Sequence, residues 1–539
     1  MVDILLIQPP MADFYLTAKR TIPYGLASIA AAVMQKGFSV DILDAMATGK
    51  SRIIPPPETM GDLEPFYGRP DQSPFALFHH FRHYGYSLEH IGRQVKASGA
   101  FVVGIASLFT AYSDMAIAVA QTVKASLPDC TVVLGGHHPT ALPAAAMADP
   151  AVDLVLRGEG EAALPALAAA LKAGKRLAEV PGIVFRNPDG SLHVSRPALC
   201  RDPDRLPTPA YGLIRRKFYQ RFGQDSIVTT AGRGCPLSCS YCATGRDSWM
   251  GFRKRSVSAV LREIRDVAEG RRVGFVDFED ENLTMDRQWF LELMKGLGSI
   301  FGDSRPELRA MNGLFPPSLT EAVVRAMRAA GFKTLNLSLG SADSRQLKRF
   351  QRPDVRDGFD RALDYARREE LSAVGYIIVA APDQDPLSSV DDLLFLARRR
   401  VLAGVSVFYP APGSADYERC RDQGLLPTSF AGMRATALPI DHRTSRTDSV
   451  TLLRLGRILN FMKQLVSTGT ALPHPATLPR RLDSALDRHT AGLKLLAAFL
   501  MDGGIRGIEA DGTVYGHQVS SRLCRRFLAG VMREPIHGV

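Results

Sequence analysis

Two separate stretches of the chain alternate strand-like runs with helical ones, and this limits the possible folds more than any other feature. In the first stretch, runs over residues 3–8, 39–44, 102–107, 131–134 and 154–157 are short, rich in Val, Ile and Leu, and bounded by Gly or Pro. Helical periods cover 24–36, where Gly37 is a natural stop, then 114–125 and 161–172. The pattern restarts near residue 225. Strand-like runs then cover 226–230, 272–278, 308–312, 334–339, 373–380 and 405–408. Helical periods cover 257–269, 319–330 and 354–369, with Asp354 a fitting N-cap. Such alternation builds parallel sheets covered by helices, and ligands then bind beyond the carboxyl ends of the strands.

The expected organisation is a doubly wound α/β unit over 1–180, a connector over 181–222, a barrel-like unit of six βα steps over 223–435, and a mostly helical region over 436–539. Residues 46–86 are rich in Pro, Gly and aromatic side chains and are expected to form a wrapping loop. The connector holds a hairpin over 182–194, around Asn187-Pro188-Asp189-Gly190, and an extended Leu206-Pro207-Thr208-Pro209. In the last region, 450–465 is helical in pattern. Residues 479–501 read as one or two helices, with Pro479 suited to a first helical position. Asp511-Gly512 marks a hairpin. This region is expected to cap the barrel mouth, where reactive chemistry needs water kept out.

Between the first strand and the first helix of the second unit, Cys235, Cys239 and Cys242 stand at C-x3-C-x2-C inside eight residues. Thiolates suit iron–sulfur clusters or zinc. A four-iron cubane usually takes four protein ligands, so three leave one iron open, and an open metal position is where chemistry happens. A zinc knuckle would need a second Cys or His pair nearby, and the sequence around the triad supplies none. Cys130, Cys200, Cys420 and Cys524 are scattered, and seven cysteines in 539 residues do not make a disulfide scaffold.

Hydrophobic residues make up 46% of the chain, enough for real cores, yet the longest apolar stretches, such as 26–34, are too short to cross a bilayer. The start of the chain lacks a signal-peptide pattern, and the expected location is the cytoplasm. The net charge of +11 is spread without a basic block, which describes a solvated surface better than a nucleic-acid site.

The triad with Tyr241 in C-x3-C-x-aromatic-C resembles the radical S-adenosylmethionine (SAM) superfamily. The resemblance implies a partial (β/α)6 barrel, a [4Fe-4S] cluster on Cys235, Cys239 and Cys242, and SAM on the open iron. One-electron cleavage of SAM to a 5′-deoxyadenosyl radical is implied with it, as is an electron donor of flavodoxin or ferredoxin type. For SAM it points to Tyr241, Asp280, Glu281, Ser338 and Ser341. Asp280 and Glu281 read equally well as caps of the next helix. Gly340-Ser341-Ala342 stands where relatives often carry Glu-Ser-Gly, so a carboxylate is missing. Arg246, Arg253 and Arg255 fit anion forks or plain surface charge, the latter the safer reading for Arg255.

Upstream, Pro23-Tyr24-Gly25-Leu26, the residues 135–140 and Arg157-Gly158-Glu159-Gly160-Glu161 together resemble the cobalamin-binding domain of B12-dependent radical SAM enzymes. That implies a Rossmann- or flavodoxin-like first domain, with Ser107, Leu108, Gly135, Gly136, His138, Thr140, Gly158 and Glu159 near cobalamin. The loop after the first strand, residues 10–15, lacks the His that ligates cobalt in many such domains. The rival reading of this domain is a Rossmann-like unit without cofactor. The activity implied by the whole is C-methylation of an unactivated carbon in a small-molecule or lipid substrate, using the deoxyadenosyl radical and methylcobalamin. The alternatives are a cyclase or rearrangement enzyme, or a non-catalytic cobalamin or redox sensor. No nucleic-acid partner is expected, and contact with a membrane is peripheral at most.

Overall fold

The computed structural model describes residues 1–15, 21–246 and 248–539. The first sheet runs Leu192–Val194, Ile183–Arg186, Leu154–Leu156, Thr131–Gly135, Val102–Ala106, Ile4–Gln8, Val40–Asp44. Its last five strands are parallel. Numbered along the chain, those five lie in the order 2-1-3-4-5, the flavodoxin-like winding. The reversal of order falls between Ile4–Gln8 and Val102–Ala106. Side chains of Ile4–Gln8 divide between the two layers. Ile4 and Leu6 pack with the layer of Tyr24–Met34 and Gly160–Ala173, whereas Leu5 and Ile7 pack with that of Leu88–Ser98 and Ser113–Ser126.

The hairpin expected in the connector belongs to this sheet. Ile183–Arg186 pairs antiparallel with Leu154–Leu156, so the sheet extends past residue 180. The helix Leu88–Ser98 was not legible beside the long loop, although its ends are well marked. Ser87 Oγ accepts from His90 N, and Gly99 closes the helix at φ +60°. The loop itself contains short order: Ser51–Ile53 and Arg82–Tyr84 join Met11–Asp13 in a small antiparallel sheet. It does wrap. Phe75 meets Phe461 edge-on at 5.5 Å, and Asp71 accepts from His517 at 2.9 Å.

The second unit has six parallel strands. Asp225–Thr229, Val273–Phe278 and Glu307–Ala310 form one ladder, and Thr334–Gly340, Ser372–Val379 and Leu402–Val407 another. Bridges Leu308 to Phe332 and Leu314 to Leu337 join them into one open, partial barrel. Helices Arg287–Phe301 and Pro386–Ala397, which the periodicity reading passed over, complete the outer layer. Asp354 is not the N-cap of the helix Arg356–Arg368. Val355 holds that position, and the Asp354 carboxylate accepts from Arg356 N.

The C-terminal region is helical, with Arg446–Ser467, Arg488–Asp502 and Ser521–Arg533 around the hairpin Arg506–Ile508/Val514–Gly516. Pro479 does not start a helix. Asp487 caps Arg488–Asp502 through His489 N and Thr490 N. At its start the region touches the loop after the strand Ser372–Val379, where Thr444 Oγ1 donates to Gln384 O, and beyond that it runs along the barrel's edge strand. Arg446–Ser467 packs on Leu402–Val407 and Pro386–Ala397. A Cβ on Gly456 would stand 2.6 Å from Val405, so glycine is what lets helix and strand approach. Among the described residues no helix is long and apolar enough to cross a membrane.

Candidate active site

The cysteine loop leaves the first barrel strand through Gly234, at φ +74°, where a Cβ would collide with Gly251 O at 2.2 Å. Neighbouring elements hold the loop at both ends. Cys235 N donates to Thr244 O, and Arg246 N to Leu237 O. Ser240 N donates to Phe350 O, and Ser240 Oγ to Asp416. Cys235 and Cys239 are buried and Cys242 half-buried. Each thiol has a polar neighbour: Asn282 Nδ2 at 3.6 Å from Cys235, Arg352 at 3.7 Å from Cys239 and Thr244 Oγ1 at 3.2 Å from Cys242. Among the described residues no three His, Cys, Asp or Glu side chains converge as the ligands of a single ion would. A cubane asks for a different arrangement, with each thiolate on its own iron, and donors aimed at sulfur suit thiolate ligands.

Several strand-end residues are committed to the protein. Asp280 is fully buried, and its carboxylate accepts from Ala231 N and Gly232 N, just before the cysteine loop. Burial pushes its pKa up to about 7 against those two donors. It does not cap the next helix, because Asp286 does that by accepting from Trp289 N. Ser341 is fully buried and donates to Asp392, on the helix Pro386–Ala397. Ser338 Oγ donates to Leu314 O and accepts from Arg352. Tyr241 meets Phe350 edge-on at 5.0 Å, and its hydroxyl accepts from Arg352 at 3.3 Å. Glu281, half-buried beside Asn282, has its pKa raised by burial.

Arg255 is not a surface charge. It is buried and pairs with Glu263 at 2.7 Å, and Glu263 also accepts from Thr229. Arg253 reaches the first domain, where it grips both oxygens of Glu159 at 2.7 and 3.0 Å. Arg233 joins them, 2.9 Å from Glu159 and 2.6 Å from Glu161. Burial alone would raise the pKa of Glu159, but the bonds from Arg253 and the charge of Arg233 hold it below the usual carboxylate range. Glu159 is thus the centre of an ion-pair clamp between the two units.

The remaining first-domain residues line up along the carboxyl ends of its strands. Gly136, at φ +121°, lies so close to Ser107 that a Cβ would stand 2.5 Å from Ser107 O. Thr140 Oγ1 donates to Gly136 O and accepts from Gly158 N, tying two of the expected loops together. His138 is buried, 3.2 Å from Thr110 Oγ1 and edge-on to Phe430, and burial lowers its pKa to about 4. Gly135 would tolerate a Cβ, with Leu156 O at 3.8 Å in ordinary contact. Two features suit a bulky, partly polar ligand here: a buried Ser107 hydroxyl with no partner among the described residues, and exposed Leu108 and Phe109 beside it.

At the switch point itself, the segment after the barrel closes over the first domain. Arg434 donates to Ala12 O and Ala111 O and stands 3.3 Å from Asp13, which also accepts from Tyr112 and Thr436. Neither Arg434 nor Arg352 stands out in the sequence. The available signal for Arg352 is Gly340, whose missing side chain leaves room for it, a Cβ there lying 3.2 Å from Arg352 Cδ.

The two rows of strand ends face each other. Gly413, after the last barrel strand, stands 3.9 Å, measured from its ideal Cβ, from both Ala141 of the first domain and Ala243 of the cysteine loop. Nearby, Tyr409 has its pKa raised by burial and by the Cys242 thiol.

A doubly wound domain facing a partial barrel with a cysteine triad at its mouth defines a radical SAM enzyme, and residues 229–395 match the radical SAM superfamily model. Residues 78–168 match the B12 binding domain model, and the chain belongs to the radical SAM enzymes that carry such a domain. Its cofactors are accordingly a [4Fe-4S] cluster, SAM and cobalamin. The chain is 25% identical over 472 residues to the cytidylyl-2-hydroxyethylphosphonate methyltransferase of Streptomyces wedmorensis, covering 80% of this chain and 84% of that one. It is 30% identical over 241 residues to the anaerobic magnesium-protoporphyrin IX monomethyl ester cyclase of Rubrivivax gelatinosus, covering 42% and 41%. The fold matches the cobalamin-dependent SAM radical enzyme OxsB with a TM-score of 0.63 at 14% identity, over 93% of this chain and 72% of that one.

Proposed function

We propose that this enzyme methylates an unactivated carbon of a small-molecule or lipid substrate. The observation that carries the reading is the close approach of the cysteine loop and the carboxyl ends of the first sheet to the Tyr409–Gly413 turn. When bound, the cluster with SAM supplies a hydrogen-abstracting carbon radical, and cobalamin supplies a transferable methyl group. Cys235, Cys239 and Cys242 hold the cluster, with Asn282, Arg352 and Thr244 oriented at their sulfurs. Gly135, Gly136, Ser107 and Leu108 would receive the corrin, and residues 10–15, after the first strand, offer it no His. The Glu159 clamp fixes the distance between the two rows of strand ends. A small flavodoxin- or ferredoxin-type protein delivers the electrons.

The test compares extracts of a strain lacking the enzyme with strains restored by wild-type protein or by Cys239→Ala. The expected outcome is a compound heavier by one methylene only where the triad is intact. Purified enzyme should then form both 5′-deoxyadenosine and S-adenosylhomocysteine. A product that has lost hydrogens, with no S-adenosylhomocysteine formed, favours ring formation, the second reading that the cyclase relative supports.

A further inference from the structure

Arg352 follows the short helix Ser344–Arg349 and is 7% exposed. Its guanidinium donates to Ser338 Oγ, to Ser338 O and to the Tyr241 hydroxyl, and lies 3.7 Å from Cys239 Sγ. Its Nε–H is buried and has no partner among the described residues. Among the described residues it pairs with no carboxylate. What makes room for it lies across from it, at the end of the strand Thr334–Gly340. Gly340 stands at φ +81°, and a Cβ there would be 3.2 Å from Arg352 Cδ and 3.3 Å from Nε. Any side chain there would press on Arg352, so glycine is what admits the guanidinium. The charge stands without a carboxylate partner, facing the cysteine loop. The backbone just before Arg352 is held in place as well, since Ser240 N donates to Phe350 O.

A buried cation with a donor aimed at a ligating thiolate favours the more negative, reduced state of a cluster. Net charge and hydrogen bonds to sulfur are the levers by which proteins set cluster potentials. We propose that Arg352 is a positioning and tuning residue that raises the reduction potential of the cluster through Cys239, in the space that Gly340 leaves open. The inference rests on the assignment of the cluster to the cysteine triad.

The experiment uses the full chain, reconstituted anaerobically with iron and sulfide, without SAM or cobalamin. Reduction is followed by electron paramagnetic resonance in a redox titration of wild type, Arg352→Met and Arg352→Lys. At the wild-type midpoint, Arg352→Met is expected to lower the ratio of reduced to oxidised cluster about tenfold, ~59 mV for a one-electron couple. Arg352→Lys keeps the charge and is expected to stay within about threefold of wild type on the same scale. An Arg352→Met cluster that forms fully and titrates with wild type overturns the inference. So does a lysine variant that falls as far as methionine. If the methionine variant holds no cluster, Arg352→Gln replaces it, and a glutamine potential equal to that of lysine overturns the inference. Weakened SAM binding with an unmoved potential also overturns it, because it assigns Arg352 to SAM. Wild-type chain with no cluster signal removes the cluster assignment itself, and the inference falls with it.

Discussion

Asn460, on the helix Arg446–Ser467, forms a closed pair of hydrogen bonds with the backbone of Ala403. It accepts from Ala403 N at 2.8 Å and donates to Ala403 O at 2.9 Å. Ala403 lies on the outermost strand of the partial barrel, where the backbone has no further strand to pair with. An exposed strand edge is a template for unwanted pairing, and a side-chain amide matches its alternating donor and acceptor. Asn460→Ala leaves both groups buried and unpaired, which should cost about 2 kcal/mol. Asn460→Asp should fare no better, because a carboxylate faces Ala403 O without a proton to give. Urea denaturation of the three proteins measures this, and an Asp variant as stable as wild type would contradict it.

Asp280 makes stability depend on pH. Its folded pKa, about 7, lies above the ordinary value of 3.8, so between these the folded chain binds a proton that the unfolded chain has released. The contribution to stability is therefore full below about 3.8 and lost as pH rises through about 7. Asp280→Asn removes the titration and keeps an oxygen for Ala231 N and Gly232 N. The stability of the Asn variant relative to wild type should rise between pH 6 and pH 8, in unfolding midpoints measured side by side. A difference that stays flat across that interval would show that burial does not control this carboxyl.

Glu159 tests the clamp. It stands with Arg233 and Arg253 where little water reaches, and removing one partner of such a group strands the others. Glu159→Gln should cost about 3 kcal/mol and make the junction of the two units easier for a protease to cut. Cobalamin affinity, read by absorbance titration, should change less than the stability does. If cobalamin binding were lost while stability held, Glu159 would be a ligand contact, as the sequence pattern had suggested, and not a clamp.

These cases show what the sequence made legible. The alternation of apolar runs placed nearly every parallel strand, because a strand buried on both faces must be apolar throughout, as Ile4 to Ile7 are. The triad was legible because ligand spacing is local. Side-chain partners were not. Motifs singled out Asp280 and Glu159 by residue type, whereas their protein partners Ala231, Gly232, Arg233 and Arg253 are brought in by the fold. Arg255 looked like surface charge because its partner Glu263 lies on the following helix and faces inward. The helix Leu88–Ser98 was missed although Ser87 and Gly99 mark its ends, since the irregular stretch before it masked the change of period.

Gly234 ties local backbone to the cluster. Its φ of +74° lies in the left-handed region, and Gly251 O would stand 2.2 Å from any Cβ. Gly251 is backbone and cannot swing away as a flexible side chain would. Gly234→Ala must therefore move either the strand Gly232–Arg233, which pairs with Arg253–Lys254, or the start of the cysteine loop. The strand pair carries the clamp arginines, so the loop is the softer element, and Cys235 is the ligand displaced first. Gly234→Ala should fold with the secondary structure of wild type by circular dichroism, yet bind roughly half the iron or less after anaerobic reconstitution, because its ligand loop is strained. Reconstitution to full iron content with an unchanged cluster spectrum would show that the loop tolerates the shift and that Gly234 serves the fold alone.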